Sequence, residues 1–169
     1  MRLTRRHVLA ASALVAGGSL LGVGITATRW WDQPAGAGMR SLSVDEAAFL
    51  DAFVEAAAPA GGVPALGGGS AGVSAAVDLV LAAMEPIQRD LLKLALHALD
   101  ASTLPTHGAA FRDLPVAPAS VVVEGWMRSE IAELRGVSAS LYVFTMGAYL
   151  VHPDVAPMLS AWSRCGLSR

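Results

Sequence analysis

The chain of 169 residues is 54% hydrophobic and only 15% charged, which fits one domain preceded by an apolar segment. Its formal net charge of −2 hides an uneven distribution, since residues 1–40 hold five basic residues and one acid whereas residues 41–169 hold seven basic and thirteen acidic residues. An acidic body repels phosphate backbones and argues against nucleic-acid binding, and the single cysteine, Cys165, excludes a disulfide within these residues.

The first predicted element is an apolar run over residues 8–28. It contains no charged side chain, and its 21 residues would form a helix roughly 30 Å long, enough to cross a bilayer core. Three arginines precede it, so we expect its N-terminus to stay cytoplasmic and the body to be exported. The segment in front of the run resembles a twin-arginine export signal through Thr4, Arg5, Arg6, Val8 and Leu9. An ordinary secretory signal and a signal anchor oriented by its arginines are the alternatives.

Residues 1–32 are therefore predicted to be a twin-arginine signal or signal anchor, followed by a linker over residues 33–41. A small-x-small cleavage motif, Ala35-Gly36-Ala37, lies well beyond the apolar run. Trp30 and Trp31 resemble the aromatic anchors of a helix that stays in the membrane. We favour an uncleaved or slowly cleaved anchor. The body would then lie in the periplasm or on the extracytoplasmic face of the inner membrane.

A capping box predicts the start of the first helix of the body. Ser43 can cap the helix, and Glu46 follows three residues later. The next apolar residues share one helical face: Phe49, Leu50, Phe53, Val54 and Ala57. Pro59 ends the helix and opens a Gly- and Pro-rich stretch over residues 59–72.

That stretch contains Gly67-x-Gly69-x-x-Gly72, the spacing of a dinucleotide-binding loop. No predicted strand precedes it, and the chain shows no parallel-sheet pattern, so the motif lacks its required context. We interpret the stretch as a flexible connection.

Two helices follow in the middle of the chain. Ser74 is a candidate cap for the second, with an inward face of Val77, Val80, Leu81 and Met84. Pro86 suits the first turn of a leucine-rich third helix, whose solvated side is predicted to carry Arg89, Asp90 and Lys93.

The last third of the chain predicts a connection and further helices. Residues 101–117 form a connection that we expect to fold over the core through Phe111 and Leu114. A fourth helix is predicted from Pro118 to Gly136, a fifth from Ser138, and a short one from Pro153. Residues 42–169 therefore predict an all-α domain of five or six helices after the N-terminal signal or anchor helix.

Residues with chemical potential are scattered along the chain. His97, His107 and His152 lie in three segments without metal-ligand spacing, and no nucleophile elbow, haem-attachment motif or paired acid and base is present. We predict no catalytic, cofactor-binding or metal-binding residue in this chain. An enzyme whose site is assembled in space from these histidines and Cys165 is the alternative.

Several stretches occur in a recognisable order. The twin-arginine-like head leads to "LSVDEAAFLDAFVEAAAP", a Gly/Pro-rich loop, "LLKLALHALDAS", "HGAAFRDLP" and "FTMGAYLVHPDV". This order resembles the gluconate 2-dehydrogenase subunit 3 family. The resemblance implies a small helical subunit without its own cofactor, which binds the FAD-carrying large subunit of a flavin-dependent dehydrogenase of the glucose–methanol–choline type. It also implies support of that subunit's folding or export by the twin-arginine translocase, and a cytochrome c subunit as electron acceptor.

Five aromatic residues are candidate contacts with the large subunit, because aromatic side chains often anchor protein interfaces. They are Trp126, Tyr142, Phe144, Tyr149 and Trp162. A core position is the competing interpretation for each of them. The alternative function for the whole chain is a membrane-anchored extracytoplasmic helical binding module that acts without a flavoprotein.

Overall fold

The computed structural model describes residues 33–158, and within this range the chain forms helices and no strand. The predicted all-α class is therefore confirmed. The export-signal residues, the apolar run, Trp162 and Cys165 lie outside the described residues. The helices are α1 (Val44–Ala57), α2 (Val73–Ala83), α3 (Pro86–Ala101), α4 (Leu104–His107), α5 (Val116–Met127) and α6 (Ala132–Leu150).

The central element is α1, which contacts α2, α3, α5 and α6. Its predicted start is confirmed, because the Ser43 hydroxyl accepts a hydrogen bond from the Glu46 amide and the Glu46 carboxylate accepts one from the Ser43 amide. The apolar face is confirmed as well, except that Ala56 is buried where Ala57 was predicted. One helix therefore supplies the middle of the core.

Aromatic rings fill the space around α1. Phe49 and Phe53 lie with their ring centroids 6.0 Å apart, and Phe111 lies 5.4 Å from Phe49 and 4.9 Å from Trp126. Phe111 is fully buried on a short 3-10 turn in the connection between α4 and α5. The prediction that this connection folds over the core is confirmed, and tilted ring pairs add to the stabilisation from burial.

The Gly-rich stretch packs against α1 and is not the flexible connection that the sequence predicted. The Glu55 carboxylate accepts hydrogen bonds from the amides of Ala60 and Gly69, each at 2.9 Å. A Cβ atom on Gly68 would collide with the Val54 carbonyl group. The glycine is needed here because the loop backbone lies directly on the helix.

Several predicted details of the helices were wrong, including Ser74 as the cap of α2, where Gly72 takes that position. On α2, Val80 is exposed and Asp78 takes a place on the buried face. The predicted fourth helix ends at Met127, and α6 then runs from Ala132 through Gly136 without a break. A single glycine in a helix costs only about 1 kcal/mol relative to alanine, and the packing of α6 against α1, α2 and α5 outweighs that cost.

The segment before α1 is held against the body by hydrogen bonds. We call residues 33–42 the strap. The Asp78 carboxylate, 2% exposed on α2, accepts hydrogen bonds from the backbone amides of Arg40 at 2.7 Å and of Ser41 and Leu42 at 2.8 Å. Lys93 on α3 donates to the Ser41 carbonyl oxygen at 2.8 Å. The body thereby fixes the position at which the chain enters its first helix.

Among residues 33–158, no helix is both long enough and apolar enough to cross a membrane. The run at residues 8–28 lies outside this range, so its predicted role as a membrane segment stays a prediction.

Candidate functional site

An open apolar groove lies between α3 and α6, with a volume of about 440 Å³. We call it the α3–α6 groove. Its walls carry one polar side chain, the hydroxyl of Ser140, among aliphatic and aromatic residues. The lining includes Leu91, Leu92 and Leu99 from α3 and Val137, Leu141 and Phe144 from α6.

The groove follows from how the two helices are anchored. α6 packs against α1, α2 and α5, and Val137, Leu141 and Phe144 recur at helical spacing on the side that faces α3. On α3, the leucine-rich stripe is wider than the core needs. Leu96 and Leu99 are buried in the core, whereas Leu91 is 51% exposed at the groove. Together with Val137, 40% exposed, it leaves an apolar surface open to solvent.

The five predicted contact residues lie in different places. Trp126 is 7% exposed and Tyr149 is 1% exposed, so both are core residues. Tyr149 also donates its hydroxyl hydrogen bond to the Leu66 carbonyl oxygen at 2.6 Å, which holds the Gly-rich stretch. Phe144 lines the groove. Tyr142 is half-buried against the core, and Trp162 lies outside the described residues.

A buried polar cluster joins α1 to α3. One carboxylate oxygen of Glu46, 1% exposed, lies 2.9 Å from His97 Nε2, and the other lies 3.1 Å from Lys93 Nζ. His97 is itself 7% exposed. Lys93, predicted to lie on the solvated side, therefore turns inward, because it finds a buried carboxylate and the Ser41 carbonyl oxygen as partners.

The cluster keeps Glu46 ionised. Burial by itself would raise the pKa of Glu46, but hydrogen bonds from His97 and the Ser43 amide and the charge of Lys93 outweigh it and lower the pKa. Every partner is supplied by the protein, and the cluster lies within the fold. These contacts suit a structural ion-pair network that fixes α1 on α3.

A second ion-pair group lies at the end of α3. Arg112 Nη1 lies 3.2 Å from Asp45 Oδ2 and 3.3 Å from Asp100 Oδ2. The Arg112 amide also donates to Asp100 Oδ1 at 3.0 Å. This group ties the 3-10 turn that carries Phe111 to α1 through Asp45 and to α3 through Asp100. It therefore also has a structural role.

The remaining candidate residues do not converge. His107 is exposed and 2.8 Å from the Thr106 hydroxyl, and His152 follows α6 with its Nδ1 3.8 Å from Asp154. Between residues 33 and 158, no three His, Cys, Asp or Glu side chains are grouped so that they could hold a metal ion. Cys165 lies outside this range.

The sequence profile of the family described as gluconate 2-dehydrogenase subunit 3 matches residues 44–163. This match covers more than two-thirds of the chain and begins at the first residue of α1. The chain belongs to the gluconate 2-dehydrogenase subunit 3 family. No curated protein and no solved structure gives a significant match.

All six helices, α1 to α6, of this subunit 3 family member lie within the residues that match the family. Both walls of the α3–α6 groove are therefore part of the matched region. The strap precedes the matched residues, whereas its anchors Asp78 and Lys93 lie within them. Sequence reasoning missed the groove, the strap contacts and the Glu46 cluster. The signal that could have revealed the groove is the width of the leucine stripe on α3, which exceeds one core-facing side.

Proposed function

We propose that this protein is the non-catalytic small subunit of an exported flavin-dependent dehydrogenase of the glucose–methanol–choline type. In this proposal it binds the large subunit, which carries FAD, and supports its folding or its twin-arginine export. A cytochrome c subunit would take electrons from the large subunit. The observation that carries the proposal is membership of a family described as a dehydrogenase subunit.

The α3–α6 groove supports a protein partner in particular. Contiguous exposed apolar surface on a small protein commonly marks an interaction site. Leu91 and Val137 are exposed on opposite walls, and Phe144, which is half-buried, lines the same groove. We therefore propose that an apolar segment of the large subunit packs into this groove, with Phe144 as an aromatic anchor.

A binding module for a small ligand is the competing function, because about 440 Å³ is within the range of ligand pockets. Such pockets usually place several polar groups to orient the ligand. The groove offers a single hydroxyl, that of Ser140, so its lining suits a protein surface better.

A matched pair of variants tests the groove. Val137→Glu puts a charge into the groove, whereas Val143→Glu puts the same charge on the same helix at a residue that is 71% exposed and outside the lining. The tagged full chain is captured from its native host under conditions in which the proposed flavoprotein partner would be made. The captured protein is assayed for FAD absorbance and identified by mass spectrometry.

We expect flavoprotein with the wild type and Val143→Glu, and at least about tenfold less with Val137→Glu, since a buried unpaired charge costs several kcal/mol. Equal capture by the two variants would remove the groove from the proposal. Absence of flavoprotein from the wild-type capture would contradict the small-subunit function itself.

The export role has its own test. In the proposal, Arg5 and Arg6 carry the large subunit across the membrane together with this chain. The double substitution Arg5→Lys and Arg6→Lys should leave both proteins in the cytoplasmic fraction on immunoblots. If the flavoprotein still reaches the periplasm at its normal level, the arginines serve only their own chain.

A further inference from the structure

The cleavage motif in the strap lies in a hydrogen-bonded turn. Cleavage at Ala35-Gly36-Ala37 would hydrolyse the amide between Ala37 and Gly38, with water adding to give a carboxylate on Ala37 and an amine on Gly38. In the structure, the Met39 amide donates to the Gly36 carbonyl oxygen at 2.9 Å. Ala37 and Gly38 are therefore the two central residues of a β-turn.

The geometry of this turn is specific. Gly38 has a φ of +81°, the value required at the third residue of a type II turn. The bond to be cut is thus the central peptide bond of a tight turn. Proteins that bind peptides through their main chain, as by strand addition, take them in an extended conformation. The turn must open before the bond can enter an active site of that kind.

The turn is held closed by contacts on both sides of it. The Gly36 amide donates to the Leu42 carbonyl oxygen at 2.8 Å, so both backbone groups of Gly36 are used within the strap. Asp78 accepts three amides from the residues that follow the turn. Hydrogen bonds to a buried carboxylate are stronger than those between neutral groups, so Asp78 is the main restraint from the body.

We propose that folding of the body protects the Ala37–Gly38 bond from signal peptidase, with Asp78 as the latch, so that the chain keeps its N-terminal segment. The inference rests on the export signal of the proposed function, which would bring the bond to the peptidase. It adds that retention of this segment is determined by the fold and not by the motif. Cleavage would then require local opening of the strap, at a rate proportional to the open population.

The test uses the purified full chain in detergent and purified signal peptidase, and it needs neither translocation nor a partner. A synthetic peptide of residues 29–44 serves as the unfolded reference. Products are identified by intact mass and N-terminal sequencing. We expect the peptide to be cut after Ala37 and the wild-type chain to be cut at least about tenfold more slowly, the ratio that corresponds to 1.4 kcal/mol of strap closure.

Asp78→Ala should raise the cleavage rate of the full chain at least about tenfold, because it removes the acceptor of three amides. Asp154→Ala, at an exposed residue after α6, should leave it unchanged. Adding Ala37→Pro to Asp78→Ala should abolish cleavage, which assigns the product to this bond. Circular dichroism checks that each variant is folded.

A second variant tests the proposal independently if Asp78→Ala does not fold. Gly38→Ala leaves Asp78 intact and meets no atom within 4 Å, but it puts a side chain at a φ of +81°. That conformation is unfavourable for a residue with a Cβ atom, so the turn opens more often and cleavage should accelerate at least about fivefold. A wild-type chain cut as fast as the peptide, an uncut peptide, or folded variants cut no faster than the wild type would each overturn the proposal.

Discussion

Glu46 Oε1 lies 2.9 Å from His97 Nε2, although the two residues are 51 positions apart in the chain. Glu46 closes the capping box of α1, and His97 follows the groove residue Leu96 on α3. The Glu46 carboxylate therefore accepts a hydrogen bond from the Ser43 amide at the start of α1. It also holds α3, which forms one wall of the α3–α6 groove. The position of that wall depends on a buried ion-pair cluster.

Loss of the Glu46 carboxylate should therefore be costly. Glu46→Ala removes the buried carboxylate that Lys93 and His97 contact, and removing one partner of a buried pair typically costs about 3–5 kcal/mol. We expect a loss of about 3 kcal/mol in the free energy of unfolding, measured by urea denaturation. The exposed pair of Glu124 and Arg128 is the control, since Glu124→Ala should cost less than about 0.5 kcal/mol. Similar losses for both variants would contradict the structural role of the cluster.

The pH dependence of stability should report the same carboxylate. The folded pKa of Glu46 is lowered from 4.5, so its contribution is present above that pH and is lost as the pH falls through the lowered value. Glu46→Gln resembles the protonated form. The stability difference between wild type and Glu46→Gln should be largest near neutrality and shrink as the pH falls below the ordinary value of 4.5, as measured by urea titrations. A difference that does not vary with pH would show that ionisation of Glu46 does not contribute.

The ionised carboxylate of Asp51 should have the opposite effect on stability, because its pKa is raised. Burial raises its pKa despite hydrogen bonds from the side chain and backbone of Ser74, and its Oδ1 atom has no hydrogen-bond partner among the described residues. Because the folded pKa is raised, the ionised carboxylate opposes folding at neutral pH. This penalty shrinks as the pH falls below the raised value and is absent below the ordinary pKa of 3.8. Asp51→Asn removes the charge and keeps an oxygen for Ser74.

We expect Asp51→Asn to raise the free energy of unfolding by about 1 kcal/mol near neutrality. Below the ordinary aspartate pKa of 3.8 the gain should vanish, because the carboxyl group is then neutral in both states. Asp154→Asn, at an exposed position, should change stability by less than about 0.5 kcal/mol. Destabilisation by Asp51→Asn at neutral pH would mean that the charge has a partner that stabilises it.

Local signals explain which parts of the fold were predictable from sequence. The start of α1 was predictable, because a capping box and an apolar face lie within a few adjacent turns. The end of the predicted fourth helix was wrong, since Gly136 was interpreted as a stop. A glycine ends a helix when the chain turns there with a positive φ, and Gly136 has an ordinary helical place on α6.

The candidate site was less predictable, because it depends on distant pairs of residues. The sequence shows that α3 is rich in leucine, but the distance of α3 from α6 is determined by packing against other helices. Lys93 was assigned to the solvated side, since its partners Glu46 and Ser41 are 47 and 52 residues away. Trp126 and Tyr149 were predicted as contact residues but lie in the core. Helical spacing shows which aromatic residues share a face, but it does not tell whether that face meets the core or a partner.

The two roles of glycine in this fold lead to opposite predictions for the same substitution. Gly68→Ala would drive a Cβ atom into the Val54 carbonyl group, and neither backbone can move without opening the contact between the Gly-rich stretch and α1. We expect a loss of at least about 2 kcal/mol, as for other overpacked contacts. Gly136→Ala meets no atom within 4 Å and lies inside α6, so it should raise stability by about 0.5–1 kcal/mol. Thermal and urea denaturation of the two variants measure both effects, and a stabilised Gly68→Ala would show that the stretch does not pack closely on α1.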